Sequence, residues 1–405
     1  MNIPISQEKF TRELEKRDQQ IHCLMQITEA INHNASVTDL FDIFRKSIQK
    51  HYSPEGITLC VQENKEWLTY STIDNAKSID YSHQFSYYSK GKNNLHTSDY
   101  GDIYIPVYHK QQLIALAHFY KLFPESKEEI RFLKTITNFI AIAIENKRLS
   151  KEKREKEHYK TQLSLARKIQ LSLMPKKLSD TRELEFETLY IPHSEISGDY
   201  FDFFHIENSN ISIFCIADVA GKGIPAAILM ANLQASLRRL SINFTDIVSL
   251  IRGLNEAVYD TTEGDRVVTI FLAAYDVMKN ELLYINAGHN YPILQQEEGY
   301  TKFLKEGTIP LGVIRDLPEI VVGKEEINKE TVILSYTDGL EELRNGEGKM
   351  MGHDKILENL QDISFGNIDA IRDKIEGFIE NFKENEPILD DITVLLCKIK
   401  PNGIT

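Results

Sequence analysis

The sequence predicts an α+β chain in three parts: an N-terminal antiparallel sheet with flanking helices (residues 1–144), a helical linker (145–175) and a C-terminal pair of packed β-sheets flanked by helices (176–400). Three observations lead there. Apolar residues recur at helical spacing from Phe10 to Ile31, no Gly or Pro interrupts the chain from Ile144 to Met174, and from Leu184 onward strand-like apolar runs alternate with helical segments. At 405 residues the chain is long enough for two or three domains, each with its own core.

Phe10, Leu14, Ile21, Leu24, Ile27 and Ile31 return at three, four or seven positions, which predicts a helix over 7–31 ended by Asn32-His33-Asn34. A second helix is expected at 40–52, then strands at 56–62 and 67–72, and a hairpin joining 103–108 to 113–120 across His109-Lys110-Gln111-Gln112. A long helix starts near Ser126. Charges of both signs crowd 147–157, as on a solvated or coiled-coil helix, and Pro175 ends it. Tyr159, Leu163, Ala166, Ile169 and Leu173 form an apolar stripe that needs a partner. Packing on the downstream domain would satisfy it; the preferred expectation is a parallel two-stranded coiled coil joining two protomers. Beyond it, strands are expected at 185–191, 212–217, 269–275, 281–286, 331–336 and 393–398, with helices at 225–240, 244–259, 351–361 and 368–381.

A net charge of -13 argues against sequence-independent nucleic-acid binding, which relies on Lys and Arg neutralising phosphates. The N-terminus lacks an apolar signal core, and no run of about 18 apolar residues appears, so no membrane span and a cytoplasmic location are expected. Cys23, Cys60, Cys215 and Cys397 form no C-x-x-C pair and predict buried free thiols.

The chemistry centres on four carboxylates in turn-like settings: Asp199 in Ser197-Gly198-Asp199-Tyr200, Asp218 in Ala217-Asp218-Val219-Ala220-Gly221, Asp338 in Tyr336-Thr337-Asp338-Gly339, and Asp390 beside Asp391. Three of the four are expected at or just after strand ends. An oxygen-rich set with almost no nearby His or Cys favours Mg²⁺ or Mn²⁺ over Zn²⁺. Gly221-Lys222-Gly223 precedes a predicted helix but lacks the first Gly and the final Ser or Thr of a P-loop, so a tight strand-to-helix turn is expected. A phosphate-holding role for Lys222 is the weaker alternative.

These motifs resemble the PPM metal-dependent serine/threonine protein phosphatases, in their SpoIIE/RsbU branch. Six matches run in order over 195–394: Glu195 to Asp202, Ala217 to Ala227, Asn286 to Pro292, Leu311 to Val313, Ser335 to Glu342 and Asp390 to Val394. The resemblance implies an α-β-β-α sandwich and a metal-dependent phosphoprotein phosphatase. It assigns Asp199, Asp218, Asp338 and Asp390 as catalytic metal ligands with the Val219 carbonyl, and Mn²⁺ or Mg²⁺ as cofactor (two ions, with a third left open). Asp391 takes a supporting hydrogen-bonding role, and His289 a structural turn role. Asp202 and Glu195 are either supporting or surface groups, and no phosphate-gripping Arg can be placed.

The N-terminal part, with its closing helix ending Ile140 to Leu149, resembles a GAF domain, which implies a sensor, an unknown small-molecule or protein signal, and a homodimer through sensor and linker. By the same resemblance the substrate is a phosphoserine or phosphothreonine on a STAS-type anti-anti-sigma factor in a partner-switching pathway. Two rivals are weighed against this. A histidine kinase would need a phosphoacceptor His before a Glu-Pro motif, and His158 lacks that setting. A pseudophosphatase would bind its phosphoprotein partner without turnover, although all four Asp are present.

Overall fold

The computed structural model describes residues 5–63, 66–72, 80–90, 96–97, 101–175, 181–297, 299–360 and 367–402. The chain divides into two compact units, Met1–His158 and Tyr159–Thr405. The expected start of the third part at 176 and the end of the helix expected at 351–361 lie outside the described residues.

The first unit contains α1 (Ile5–Asn32), α2 (Val37–Tyr52), β1 (Gly56–Glu63), β2 (Glu66–Ser71), α3 (Ser82–Ser89), β3 (His96–Thr97), β4 (Ile103–His109), β5 (Gln112–Tyr120) and the first part of α4 (Lys127–Leu173). Its strands pair antiparallel in the order β2-β1-β5-β4-β3. Ser36 caps α2 in a reciprocal box with Asp39. The β4–β5 turn is tighter than expected: Lys110 and Gln111 both take positive φ, 46° and 68°, and two residues close the hairpin. Ile27, Phe44, Ile48, Phe119, Leu133, Ile136 and Ile140 bring α1, α2, α4 and the sheet into one core. A smaller cluster of Cys60, Tyr81, Tyr88, Leu113 and Leu116 includes α3, which the sequence reading did not anticipate. There Trp67 stacks on Phe85 with ring centroids 3.9 Å apart.

The second unit holds the last part of α4, then β6 (Leu184–Ile191), β7 (Tyr200–His205), β8 (Ile211–Val219), α5 (Ile224–Ser241), α6 (Ile247–Thr262), β9 (Val268–Asp276), β10 (Glu281–Ala287), β11 (Ile293–Gln296), β12 (Thr301–Phe303), β13 (Gly307–Thr308), β14 (Gly323–Glu326), β15 (Thr331–Tyr336), α7 (Asp338–Glu341), α8 (Gly352–Leu360), α9 (Ile368–Lys383) and β16 (Ile392–Ile399). One sheet runs β13-β10-β9-β8-β7 with β14 also on β10, the other β12-β11-β15-β16-β6. Side chains of both sheets, among them Phe186, Ile333, Leu395, Phe214 and Phe271, share a core with α5 and α6. Ile356, Ile371, Ile375 and Ile379 of α8 and α9 cover the other sheet. This is the α-β-β-α sandwich.

β7 escaped the sequence reading because Tyr200-Phe201-Asp202-Phe203-Phe204 has no apolar-polar alternation, and β11 to β14 are two to four residues long. The four cysteines are free and buried. No helix among the described residues is long and apolar enough to cross a membrane.

On α4, the expected stripe is only partly packed: Leu163, Ala166 and Leu173 are half-buried, whereas Tyr159 and Ile169 are exposed. The residues most deeply buried on this part of the helix and just beyond it are Gln170 and Met174.

Candidate metal centre

The four carboxylates come from the ends of neighbouring strands in the two sheets. Asp218 is the penultimate residue of β8, and Asp338 opens α7 two residues after β15. Asp199 and Asp390 precede β7 and β16 instead of following a strand, so two of the four, not three, fit the expected setting. The long β15–β16 pairing holds the Asp338 and Asp390 turns side by side, with Thr337 N–H donating to the Thr393 carbonyl at 3.0 Å.

Two glycines allow close approach. A Cβ on Gly198 would meet the Val219 carbonyl oxygen at 2.9 Å and Asp218 Oδ1 at 3.5 Å, so the Asp199 loop lies directly against the Asp218 strand end. A Cβ on Gly339 would collide with the Asp391 carbonyl oxygen, a backbone atom that cannot swing aside. Gly339→Ala is therefore expected to displace the 390–391 segment and cost about 1–3 kcal/mol in urea unfolding.

Asp199 is 2% exposed and its Oδ2 accepts from Thr337 Oγ1 at 2.9 Å and Thr393 Oγ1 at 2.5 Å. Burial and the neighbouring Asp218 hold its carboxyl well above the ordinary range, although the two hydroxyls pull the other way. Burial, then Asp338 and Asp390, push Asp218 up to about 6. Asp338 is raised by burial and by Asp390. Asp391 plays the expected bracing part: its Oδ1 accepts from His193 N–H at 2.7 Å and its N–H donates to Asp390 Oδ1 at 2.9 Å.

Positive charge is sparse. Lys222 Nζ lies 2.9 Å from Asp390 Oδ2 and donates to the Leu389 carbonyl at 2.8 Å. Its stretch is the tight turn expected, with Gly221 and Gly223 at φ +100° and +78° between β8 and α5. Arg266, which the sequence reading did not single out, donates to the Ala220 carbonyl at 3.0 Å.

His289 is buried, with Nδ1 2.9 Å from Thr269 Oγ1, and burial pushes its pKa down to about 4. A neutral, enclosed imidazole suits a turn brace. Glu195 is exposed, but Asp202 is fully buried: Arg238 of α5 grips it with bonds of 2.6 and 2.5 Å, and Tyr200 Oη donates to it at 2.5 Å.

Among the described residues no three Asp, Glu, His or Cys side chains converge tightly enough to hold an ion unaided. The donor chemistry nevertheless fits a hard divalent cation. Every donor is oxygen, and three of the four carboxyls carry raised pKa values from burial and mutual repulsion, an electrostatic stress that a cation relieves. The sequence reading gave no supporting role to Thr337, Thr393, Arg266 or Arg238, and considered Lys222 only as a phosphate holder, because all of them act across long chain separations.

Residues 210–400 match the family model described as Stage II sporulation protein E (SpoIIE). The chain is 27% identical over 190 residues to phosphoserine phosphatase RsbU of Bacillus subtilis (strain 168), covering 47% of this chain and 56% of that protein. It is 24% identical over 245 residues to phosphoserine phosphatase RsbP of the same organism, covering 60% and 58%. Thus the chain spans little more than half the length of these curated relatives. Among solved structures, the SiaA-PP2C domain of Pseudomonas aeruginosa aligns with a TM-score of 0.54 at 16% identity, over 61% of this chain and 99% of that one, a likeness of fold. Residues 210–400 of this chain are therefore similar to the SpoIIE family, and the fold is that of a PP2C-type domain.

Proposed function

We propose that the chain is a signal-regulated serine/threonine protein phosphatase, with a GAF-like sensor over 1–144, a helical linker over 145–175 and the catalytic domain over 176–400. The observation that carries this is the acidic cluster at strand ends of a SpoIIE-type domain, with Asp199 buried and Asp218, Asp338 and Asp390 half-buried. Asp199, Asp218, Asp338 and Asp390, with the Val219 carbonyl, would hold Mn²⁺ or Mg²⁺. Bound as a pair, such ions supply a water of lowered pKa and stabilise the attacking and leaving oxygens of an in-line displacement.

The chain's own residues do the positioning. Thr337 and Thr393 aim Asp199, Asp391 braces Asp390, and Lys222 and Arg266 bring positive charge to the mouth that a phosphate dianion would approach. The names of the two relatives support phosphoserine as the reacting group. By family likeness the substrate is a phosphorylated STAS-type anti-anti-sigma factor of a partner-switching pathway, in the cytoplasm. The exposed Tyr159, Leu165 and Ile169 of α4 support a homodimer through the linker.

The test is phosphate release from a phosphoserine STAS-domain protein by the full chain, with Mn²⁺ or Mg²⁺ and with chelator. Metal-dependent turnover is expected. Tight binding of the phosphoprotein with no release, at saturating metal and with partner signal supplied, would instead make the chain a pseudophosphatase scaffold.

A further inference from the structure

The end of α4 carries a polar residue where its packed face should be apolar. Gln170 is 5% exposed, and both ends of its side-chain amide bond the backbone of a single residue. Its Nε2 donates to the Ser197 carbonyl at 2.7 Å, and its Oε1 accepts from the Ser197 N–H at 3.2 Å. The amide thus pairs with the loop between β6 and β7 much as a strand would.

Ser197 is two residues from Asp199 and is itself tied to it, since Asp199 N–H donates to Ser197 Oγ at 3.0 Å. Gly198, between them, lies against the Val219 carbonyl and Asp218 Oδ1. Contacts therefore run from a helix side chain, through one backbone unit, to the buried Asp199, with the half-buried Asp218 close by. Met174, one turn on, anchors the same helical face in the sandwich core.

Resting on the proposed metal-dependent activity, we propose that Gln170 is a positioning residue for the acidic centre: through its two-point bond to Ser197 it makes the placement of Asp199 depend on the rotation and register of α4. The bond is unforgiving. One residue of slippage shifts the amide by about 1.5 Å along the axis and about 100° around it, which breaks both hydrogen bonds. A buried amide and a buried peptide unit left unpaired are costly, so the loop must follow the helix or lose its hold.

The test uses the full chain with Gln170→Met, which keeps length and removes both bonds, and Gln170→Glu, which keeps the acceptor for the Ser197 N–H but opposes its carbonyl. Met174→Ala removes a core side chain just past the end of α4 and leaves both Gln170–Ser197 bonds in place. Mn²⁺ affinity is titrated calorimetrically well below each unfolding temperature, and amide exchange is followed over 195–200.

Expected results are a loss of Mn²⁺ affinity of about tenfold or more in Gln170→Met, a smaller loss in Gln170→Glu, and faster exchange at Ser197 to Asp199 in both. Met174→Ala should lower the unfolding temperature and leave affinity within about twofold, the level of an uncoupled site. If Gln170→Met does not fold, Gln170→Glu against Met174→Ala decides the matter. Unchanged affinity in the Gln170 variants, or an equal loss in Met174→Ala, overturns the positioning role alone. A folded parent that binds no Mn²⁺ overturns the metal-dependent reading and this inference with it.

Discussion

Replacing Asp218 by Asn is expected to reduce metal-dependent phosphate release by about a hundredfold or more, the scale of losing an electrostatic anchor of a transition state, while the metal-free fold becomes more stable. The two effects share one cause. Asp218 is half-buried near Asp199, Asp338 and Asp390, and its pKa is pushed up to about 6 by desolvation first and then by Asp338 and Asp390. A raised carboxyl pKa means that the folded chain holds more protons than the unfolded chain between the ordinary value of 3.8 and about 6. Its contribution therefore favours folding at low pH and is lost as pH rises through that window.

At pH 7 the ionised group works against the fold by about 1–3 kcal/mol, and Asn removes that burden. In chelator, the stability advantage of Asp218→Asn should be small near pH 4 and reach its full size by pH 7, measured by urea unfolding. Adding Mn²⁺ should raise the unfolding temperature of the parent far more than that of the variant. An Asn variant that is less stable than the parent in chelator at pH 7 would contradict the repulsion argument. One that retains turnover would remove Asp218 from the centre.

Removing the Arg238 side chain should give the largest loss of stability, about 3–5 kcal/mol for Arg238→Ala. The size follows from which charge is left behind. The Asp202 side chain has no exposure, whereas that of Arg238 retains 42% and stacks over the Phe204 ring at 4.5 Å. Without the guanidinium, the donors left to Asp202 among the described residues are the Tyr200 hydroxyl and the Phe203 N–H. Removing the charge as well, in Asp202→Asn with Arg238→Met, should recover more than half of the loss, because an unpaired buried charge, not the missing attraction, dominates the cost. Equal destabilisation in the single and double variants would show that the pair acts through packing alone. The pair matters to the site because it ties α5, which follows the Asp218 turn, to β7, which follows Asp199.

Local patterning made much of this molecule legible. The 3.6-residue period drew α1, α2, α5, α6 and α9 to within a few residues, and the apolar runs located β6, β8, β9, β10, β15 and β16. It failed where a signal was short or mixed, as in β7, whose aromatics do not alternate with polar residues, and in α3. Asp202 shows the limit clearly. Nothing adjacent distinguishes it from a surface acid, and its partner lies 36 residues away on a helix face that only folding turns inward.

The sequence by itself determined the place of most of the longer helices and strands, and the four acidic motifs whose oxygen donors suit a hard cation. Those are properties of neighbours in the chain: period, turn chemistry and donor type. Tertiary structure alone decided what each acid meets. Asp199 is held by hydroxyls 138 and 194 residues away, Asp390 is paired with Lys222 from the opposite sheet's turn, and Gln170 is spent on the backbone of Ser197. The physical reason is that burial and hydrogen bonding act through space, so the environment that sets a carboxylate's pKa exists only once the two sheets have closed on one another.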